Sequence, residues 1–383
     1  MPLTLASPRT SDTMTARTLT NFRAIGFARN PGAALHIDAD GRIVAAPVAG
    51  AETIDLAGAY LSPGWADLHV HVWYGGTDIS VRADYCGVAH GVTAMADAGS
   101  SGEAAFHGLR EYVIEKQPET VRAFLNIGSI GVVACNRVPE LIDLRFIDVD
   151  RTLAVVEANR DVICGIKVRA SGVITGAWGI GPAKIAKRVA EICELPLMVH
   201  VGEPLPMIDE VFAILSEGDI VTHCFNGKRT GSITDTPALM QMAKDLARSG
   251  VRMDVGHGAA SYNFAVAQRA IGEGLIPFSI STDLHQNNID GPVHDLATTV
   301  SKLMMAGLTL DQCITGITTN PRSVMGLGEP GVGDRADFTV FTIEDADEPV
   351  SDSQGNHSRL SQVFQPKYAV LGSTVYQARR RKT

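Results

Sequence analysis

Between residues 64 and 325, short apolar runs alternate with longer amphipathic stretches. The runs that read as strands are 67–72, 92–98, 122–127, 162–169, 197–201, 220–224, 252–255 and 278–283. The intervening stretches change period. Over 182–193, Ile185, Val189, Ile192 and Cys193 fall at helical spacing, with Lys184, Lys187 and Arg188 left for solvent. Gly181 followed by Pro182 fits a helix start. Strand-then-helix units repeated eight times predict an α/β fold, a (β/α)8 TIM barrel over 62–326.

The flanks have a different texture. Ala34-Leu35-His36-Ile37 and Ile43-Val44 enclose an Asp38-Ala39-Asp40-Gly41 turn, which predicts a hairpin. Near the other end, a Gly333-Asp334 turn leads into an alternating run at 337–341, and a second run covers 367–375. Neither piece is long enough to bury a core alone. They are predicted to combine as a composite β-sandwich domain from 15–61 and 327–378. Residues 1–14 read as a disordered extension, with Met14 a candidate natural start.

Composition narrows the class. Hydrophobic residues make up 45% of the 383-residue chain and charged residues 20%, enough for a large core and too ordered a mix for disorder. A net charge of -9 with no internal basic run argues against nucleic acid, whose phosphates need clustered cations. The one basic cluster, Arg379-Arg380-Arg381-Lys382, reads as a frayed, solvated tail. Six cysteines without a C-x-x-C pair read as reduced, mostly buried thiols of a cytoplasmic protein. There is no secretory apolar stretch and no apolar run of membrane-spanning length. The expected partner is a small-molecule substrate, with no nucleic acid and no membrane; a homo-oligomer stays open.

Candidate chemistry sits where the apolar runs end. Asp67-Leu68-His69-Val70-His71 places two imidazoles on one strand face, since alternate residues share a side. H-x-H alone is a weak signal. The fourth run embeds Lys167 among apolar neighbours, an expensive place for an unpaired ammonium. The fifth ends in His200, the sixth in His223 and the eighth in Asp283. Six such residues at the ends of barrel strands, where the active face of this architecture lies, are hard to explain as core histidines satisfied by packing. Arg169 shares the parity of Lys167 nearer the rim and is a candidate for a substrate carboxylate, against an ion-pair role. His257 and His285 are further substrate-contact candidates, and Asn226, Tyr74 and Tyr262 weaker ones. Cys224 should pack rather than ligate.

The order H-x-H, K, H, H, D resembles that of the amidohydrolase superfamily, in the subtype with a carbamate-bridged binuclear centre. Leu61-Ser62-Pro63-Gly64-Trp65-Ala66-Asp67 looks like the family's lead-in to the first strand. More narrowly, Lys167-Val168-Arg169, His200-Val201-Gly202-Glu203-Pro204, His223-Cys224-Phe225-Asn226, Gly256-His257-Gly258 and Ser281-Thr282-Asp283-Leu284-His285 are similar to the dihydroorotase-like amidohydrolase/deacetylase group. The resemblance implies two divalent metals, zinc by expectation, and a carbamate on Lys167 formed from carbon dioxide. It assigns His69, His71 and Asp283 to one metal and His200 and His223 to the other. A metal-bridging hydroxide would attack, with Asp283 as the catalytic proton shuttle. The implied reaction is hydrolysis of an ester or amide of a small acylated carboxylic acid, either an O-acyl α-hydroxy acid or an N-acyl amino acid. Dihydroorotase-type opening of a cyclic amide is the alternative. Dihydroorotases carry H-x-H-x-R, whose arginine grips the substrate carboxylate; Trp73 stands there, which argues against dihydroorotate. A catalytically inactive binding protein on the same fold would be expected to have lost ligands, and a one-metal deaminase would lack the bridging lysine.

Overall fold

The computed structural model describes residues 15–135 and 137–382; the extension expected at 1–14 lies outside the described residues. Six short strands come first: β1 Arg17–Thr20, β2 Arg23–Ala24, β3 Ala34–Ile37, β4 Ile43–Val44, β5 Glu52–Asp55 and β6 Tyr60–Pro63. β3 and β4 are the hairpin expected from the D-x-D-G turn, pairing His36 with Val44 and Ile37 with Ile43. Gly41 closes that turn at φ 79°, and a Cβ there would meet the Cα of Gly372 at 2.5 Å. The N-terminal turn thus lies directly on a C-terminal one, and only glycine allows the approach.

Seven parallel strands then run side by side in chain order. They are β7 Trp65–Val70, β8 Val92–Gly102, β9 Thr120–Asn126, β10 Ile163–Ala170, β11 Leu197–Val201, β12 Ile220–Thr222 and β13 Arg252–Asp254. The eighth run does not form a regular strand. It nevertheless closes the ring, bridging Ser279 to Asp254 on one side and Leu284 to Val70 on the other. Val255 N–H donates to Ser279 O at 3.0 Å and His71 N–H to Leu284 O at 3.0 Å. Its polar residues explain the irregularity. The Ser279 and Ser281 hydroxyls turn inward to Asp254, that of Thr282 turns to Asp67, and Asp283 takes φ 49°.

One end of the barrel interior is filled by small and apolar side chains, among them Ala66, Leu68, Ala94, Ala96, Met198 and Ile220, with Met325 closing it. The polar residues are left to the C-terminal ends of the strands. The helix Gly181–Cys193 forms where expected and buries Ala183, Ala186, Val189, Ala190 and Cys193. Ile192, expected on that stripe, is instead 55% exposed.

The chain returns through β14 Asp337–Ser351, β15 His357–Leu371 and β16 Thr374–Gln377, and these join β6 and β2 in one five-stranded sheet. Segments from both ends of the chain therefore build the β domain. β14 and β15 are far longer than their apolar runs. Their distal half lies on the barrel, where Val350, Leu360, Val363 and Phe364 enter the barrel core. The basic tail is docked, correcting the expectation of a frayed end. Arg380 is buried against Glu348, and Arg381 donates to Tyr85 O at 3.0 Å. All six cysteines are free thiols, five of them buried. Among the described residues no helix is long and apolar enough to cross a membrane.

Candidate functional site

Six side chains from the barrel strands and the irregular eighth segment converge on one cavity of about 200 Å³, lined among others by His69, His71, Lys167, His200, His223 and Asp283. His69 and His71 stand at the end of β7. Their Nε2 atoms each lie 3.3 Å from Asp283 Oδ1. Lys167 Nζ is 3.4 Å from His69 Nε2. The His200 and His223 rings meet edge-on at 4.3 Å. His223 follows β12 and Asp283 lies in the irregular eighth segment, both in left-handed backbone, at φ 68° and 49°. Side chains tolerate that region poorly, and such strain concentrates where geometry matters more than stability.

A lower layer fixes how the imidazoles point. Thr222 donates its hydroxyl proton to Asp254 Oδ2 at 2.7 Å, so the same oxygen accepts from His69 Nδ1–H at 2.9 Å. His223 Nδ1 lies 2.6 Å from Gly256 O, which can only accept. In both rings the proton is therefore on Nδ1 and the Nε2 lone pair is unprotonated. Ser100 Oγ holds His71 Nδ1 at 2.8 Å. Two buried aspartates support this layer further: Asp97 accepts from Val72 N–H and Ser100 N–H, and Asp67 from Thr282 and His69 N–H. Burial pushes Asp67 up to about 7 against those donors.

The donor set fits a metal ion. His69 turns an unprotonated Nε2 toward a carboxylate oxygen, and a cation held between them would make that contact favourable. Ligand atoms of His69, His223 and Asp283 all lie within 4.8 Å of one another. Burial holds His69 and His200 well below the ordinary imidazole range, and brings His223 down to about 3, so all three stay neutral donors. Burial also lowers the Lys167 amine to about 8, although Asp283 and Asp254 oppose it.

The remaining candidates divide. His285 lines the cavity and accepts from Asn287 N–H at Nδ1. Arg169 reaches the cavity wall, but its fork closes on Glu140, with Nε to Oε1 at 2.7 Å and Nη2 to Oε2 at 2.6 Å. Glu140 is fully buried, so this is a fixed internal pair and not a rim arginine offering its fork to a ligand. His257 lies behind the cavity. Its Nδ1 donates to Gly258 O at 3.0 Å, its Nε2 accepts from Lys302 Nζ at 3.0 Å, and its ring stacks on Tyr262 at 4.5 Å. Both ring nitrogens are engaged by the protein itself. Asn226 is likewise structural, donating to His223 O and Gly231 O. Tyr74 is half exposed with Arg82 over its ring, and Cys224 packs in the core as expected. Trp73 lies against Gly76, where a Cβ would strike its ring at 2.1 Å. Ser171, Glu203 and Lys228 also line the cavity. They come from loops, and no periodicity in the sequence singles them out.

The sequence profile described as the amidohydrolase family matches residues 60–361. A deacetylase of Brucella anthropi is 53% identical over 347 residues, 90% of this chain and 86% of that protein. A deacetylase of Agrobacterium fabrum is 51% identical over 374 residues, 94% of this chain and 92% of that protein. Among solved structures, one described as a dihydroorotase superposes with TM-score 0.92 at 49% identity, covering 96% of this chain and 98% of that one.

Proposed function

The chain belongs to the amidohydrolase family, and from that premise we propose a deacetylase-like hydrolase that cleaves an acyl ester or amide of a small carboxylic acid at a two-metal centre. The observation that carries the reading is the convergence of three histidine strand ends, a buried lysine and an aspartate on one cavity of about 200 Å³. A cavity of that size suits a small acid.

His69, His71 and Asp283 would hold one divalent ion, zinc by preference for imidazole, and His200 and His223 the second. Lys167, with its amine lowered to about 8, keeps a usable neutral fraction near neutral pH. Its lone pair can attack carbon dioxide, forming an N–C bond and releasing one proton. The resulting carbamate would carry a negative charge in place of the ammonium and would help hold divalent cations there. When bound, such ions lower the pKa of water and polarise a carbonyl. The chain's own part is then proton movement and orientation. Asp283 faces His69 and His71 through Oδ1 and is placed to take the proton of the attacking water and return it to the leaving oxygen or nitrogen. The packing of Trp73 against Gly76 supplies no cation for a ring carboxylate, which disfavours dihydroorotate.

The test is a screen of zinc-supplemented protein against O-acyl α-hydroxy acids, N-acyl amino acids and dihydroorotate, with metal content measured alongside. Near two equivalents of metal and preferred turnover of an acyl ester or amide are expected. Asp283→Asn should lower turnover by about 100- to 10,000-fold. Metal that never exceeds one equivalent, or dihydroorotate as the best substrate, would overturn the reading.

A further inference from the structure

The proposed substrate carries a carboxylate, and the arginine expected to receive it is occupied by Glu140. The cavity offers another cation. Lys228 sits in the loop after β12, and its backbone is braced because its N–H donates to Asn226 Oδ1 at 3.1 Å while Asn226 is itself fully buried. A Cβ on Gly202 would meet Lys228 Nζ at 3.0 Å and His200 Nε2 at 3.6 Å. The ammonium is thus brought to the same spot as an imidazole nitrogen of the proposed metal centre, and the missing Cβ keeps that spot open.

The ammonium already holds a carboxylate there. Glu203 Oε1 lies 2.7 Å from Lys228 Nζ, and Glu203 Oε2 accepts from the Ser171 hydroxyl at 2.5 Å. Ser171 is fully buried and lies just past β10. One ammonium and one hydroxyl, both on the cavity wall, clasp the two oxygens of a single carboxylate. The two carboxylates near the cavity's cations differ in kind. Glu140 is 0% exposed and cannot leave Arg169 without burying an unpaired charge, whereas the Glu203 side chain is 39% exposed and can turn to water.

We propose that Lys228 and Ser171 form the subsite that selects carboxylate substrates, and that Glu203 is the resident carboxylate which an incoming one displaces. The inference rests on the acyl-carboxylate reading of the cavity, so its test is made independent of turnover. Lactate and methyl lactate are titrated by calorimetry into full-length zinc-loaded protein, wild type and variants, with zinc content checked in each. Wild type should bind the acid more tightly than the ester. Lys228→Met should reduce that preference by about tenfold or more, the scale of one charged hydrogen bond. Lys228→Arg should restore most of it. Glu203→Gln should strengthen acid binding, because a neutral amide competes less well for the ammonium. A purely structural role for Lys228 would weaken acid and ester alike and would overturn the proposal. Absence of any acid preference in wild type, or a loss of acid binding in Glu203→Gln, would also overturn it. If the substrate screen fails while the acid preference follows Lys228, the hydrolase reading falls and the carboxylate subsite stands.

Discussion

Replacing Thr222 by valine removes one oxygen from the contact between His69 and Asp254 and leaves the shape of the side chain nearly intact. Thr222 is fully buried, as is Asp254, and His69 is 1% exposed. The lost hydroxyl accepts from His69 Nδ1 and donates to Asp254. Asp254 keeps the hydroxyls of Ser279 and Ser281. His69 keeps nothing, since Asp254 Oδ2 lies 3.9 Å from its Nδ1. A buried N–H left without an acceptor costs about 1–3 kcal/mol. Removing the outer partner of a metal-bound histidine weakens metal binding by roughly 10- to 100-fold. That is about 1.4–2.7 kcal/mol, so both routes reach the same size because both count the same proton. The assay is zinc retention per chain against a competing chelator. Thr222→Val should release zinc at roughly tenfold lower chelator or less, and Thr222→Ser, which keeps the hydroxyl, should behave as wild type. Valine and wild-type curves within twofold of each other would refute the claim that this contact sets the donor strength of His69.

Two further outcomes follow from buried lysines. Lys167 is charged below its lowered pKa of about 8 and neutral above it, and only the neutral amine reacts with carbon dioxide. Reactivation of metal- and carbon-dioxide-depleted protein, at constant dissolved carbon dioxide, should therefore speed up about tenfold per pH unit below 8 and level off above it. A rate still climbing at that slope toward pH 10 would contradict the depressed amine. Lys302 donates to His257 Nε2, Pro292 O and Ser351 O, tying the loop after β13 to the distal end of β14. Lys302→Met leaves these acceptors unsatisfied and should lower unfolding stability by about 2–4 kcal/mol in urea titration; a loss under ~0.5 kcal/mol would show that water replaces the ammonium.

Much of the barrel was legible because parallel strands buried on both faces leave runs such as Ile163–Ala170, in which every residue is buried. The six convergent polar residues were legible for the same reason, each ending or interrupting such a run. What stayed hidden had no run to interrupt. The long hairpin of β14 and β15 passes through Glu344-Asp345-Ala346-Asp347-Glu348, which reads as loop because only one face of that ribbon meets the barrel. Arg169 found its partner in Glu140, a loop residue that no spacing connects to it. His257 reads as a substrate contact because it closely follows the seventh run, but the strand has ended at Asp254. Gly256 and Gly258 on either side take φ 47° and 58°, which turns the ring behind the cavity.

The same division explains how the centre is held. The inward histidines stand on strand ends, yet their orientation comes from residues one layer below, contributed by neighbouring strands. Asp254 acts on His69 through Thr222, and Asp97 acts on His71 through Ser100. Asp67 fixes the irregular eighth segment through Thr282, immediately before Asp283. Each aspartate bridges segments that are separate in the chain and pinned together by barrel closure. The regular hydrophobic pattern therefore specifies where the polar ends arrive, and the buried aspartates specify how they point. The first kind of information is periodic and visible along the chain. The second exists only once the ring is closed, and a carboxylate buried at Asp97 or Asp254 is tolerable only because hydroxyl and amide donors from neighbouring segments surround it.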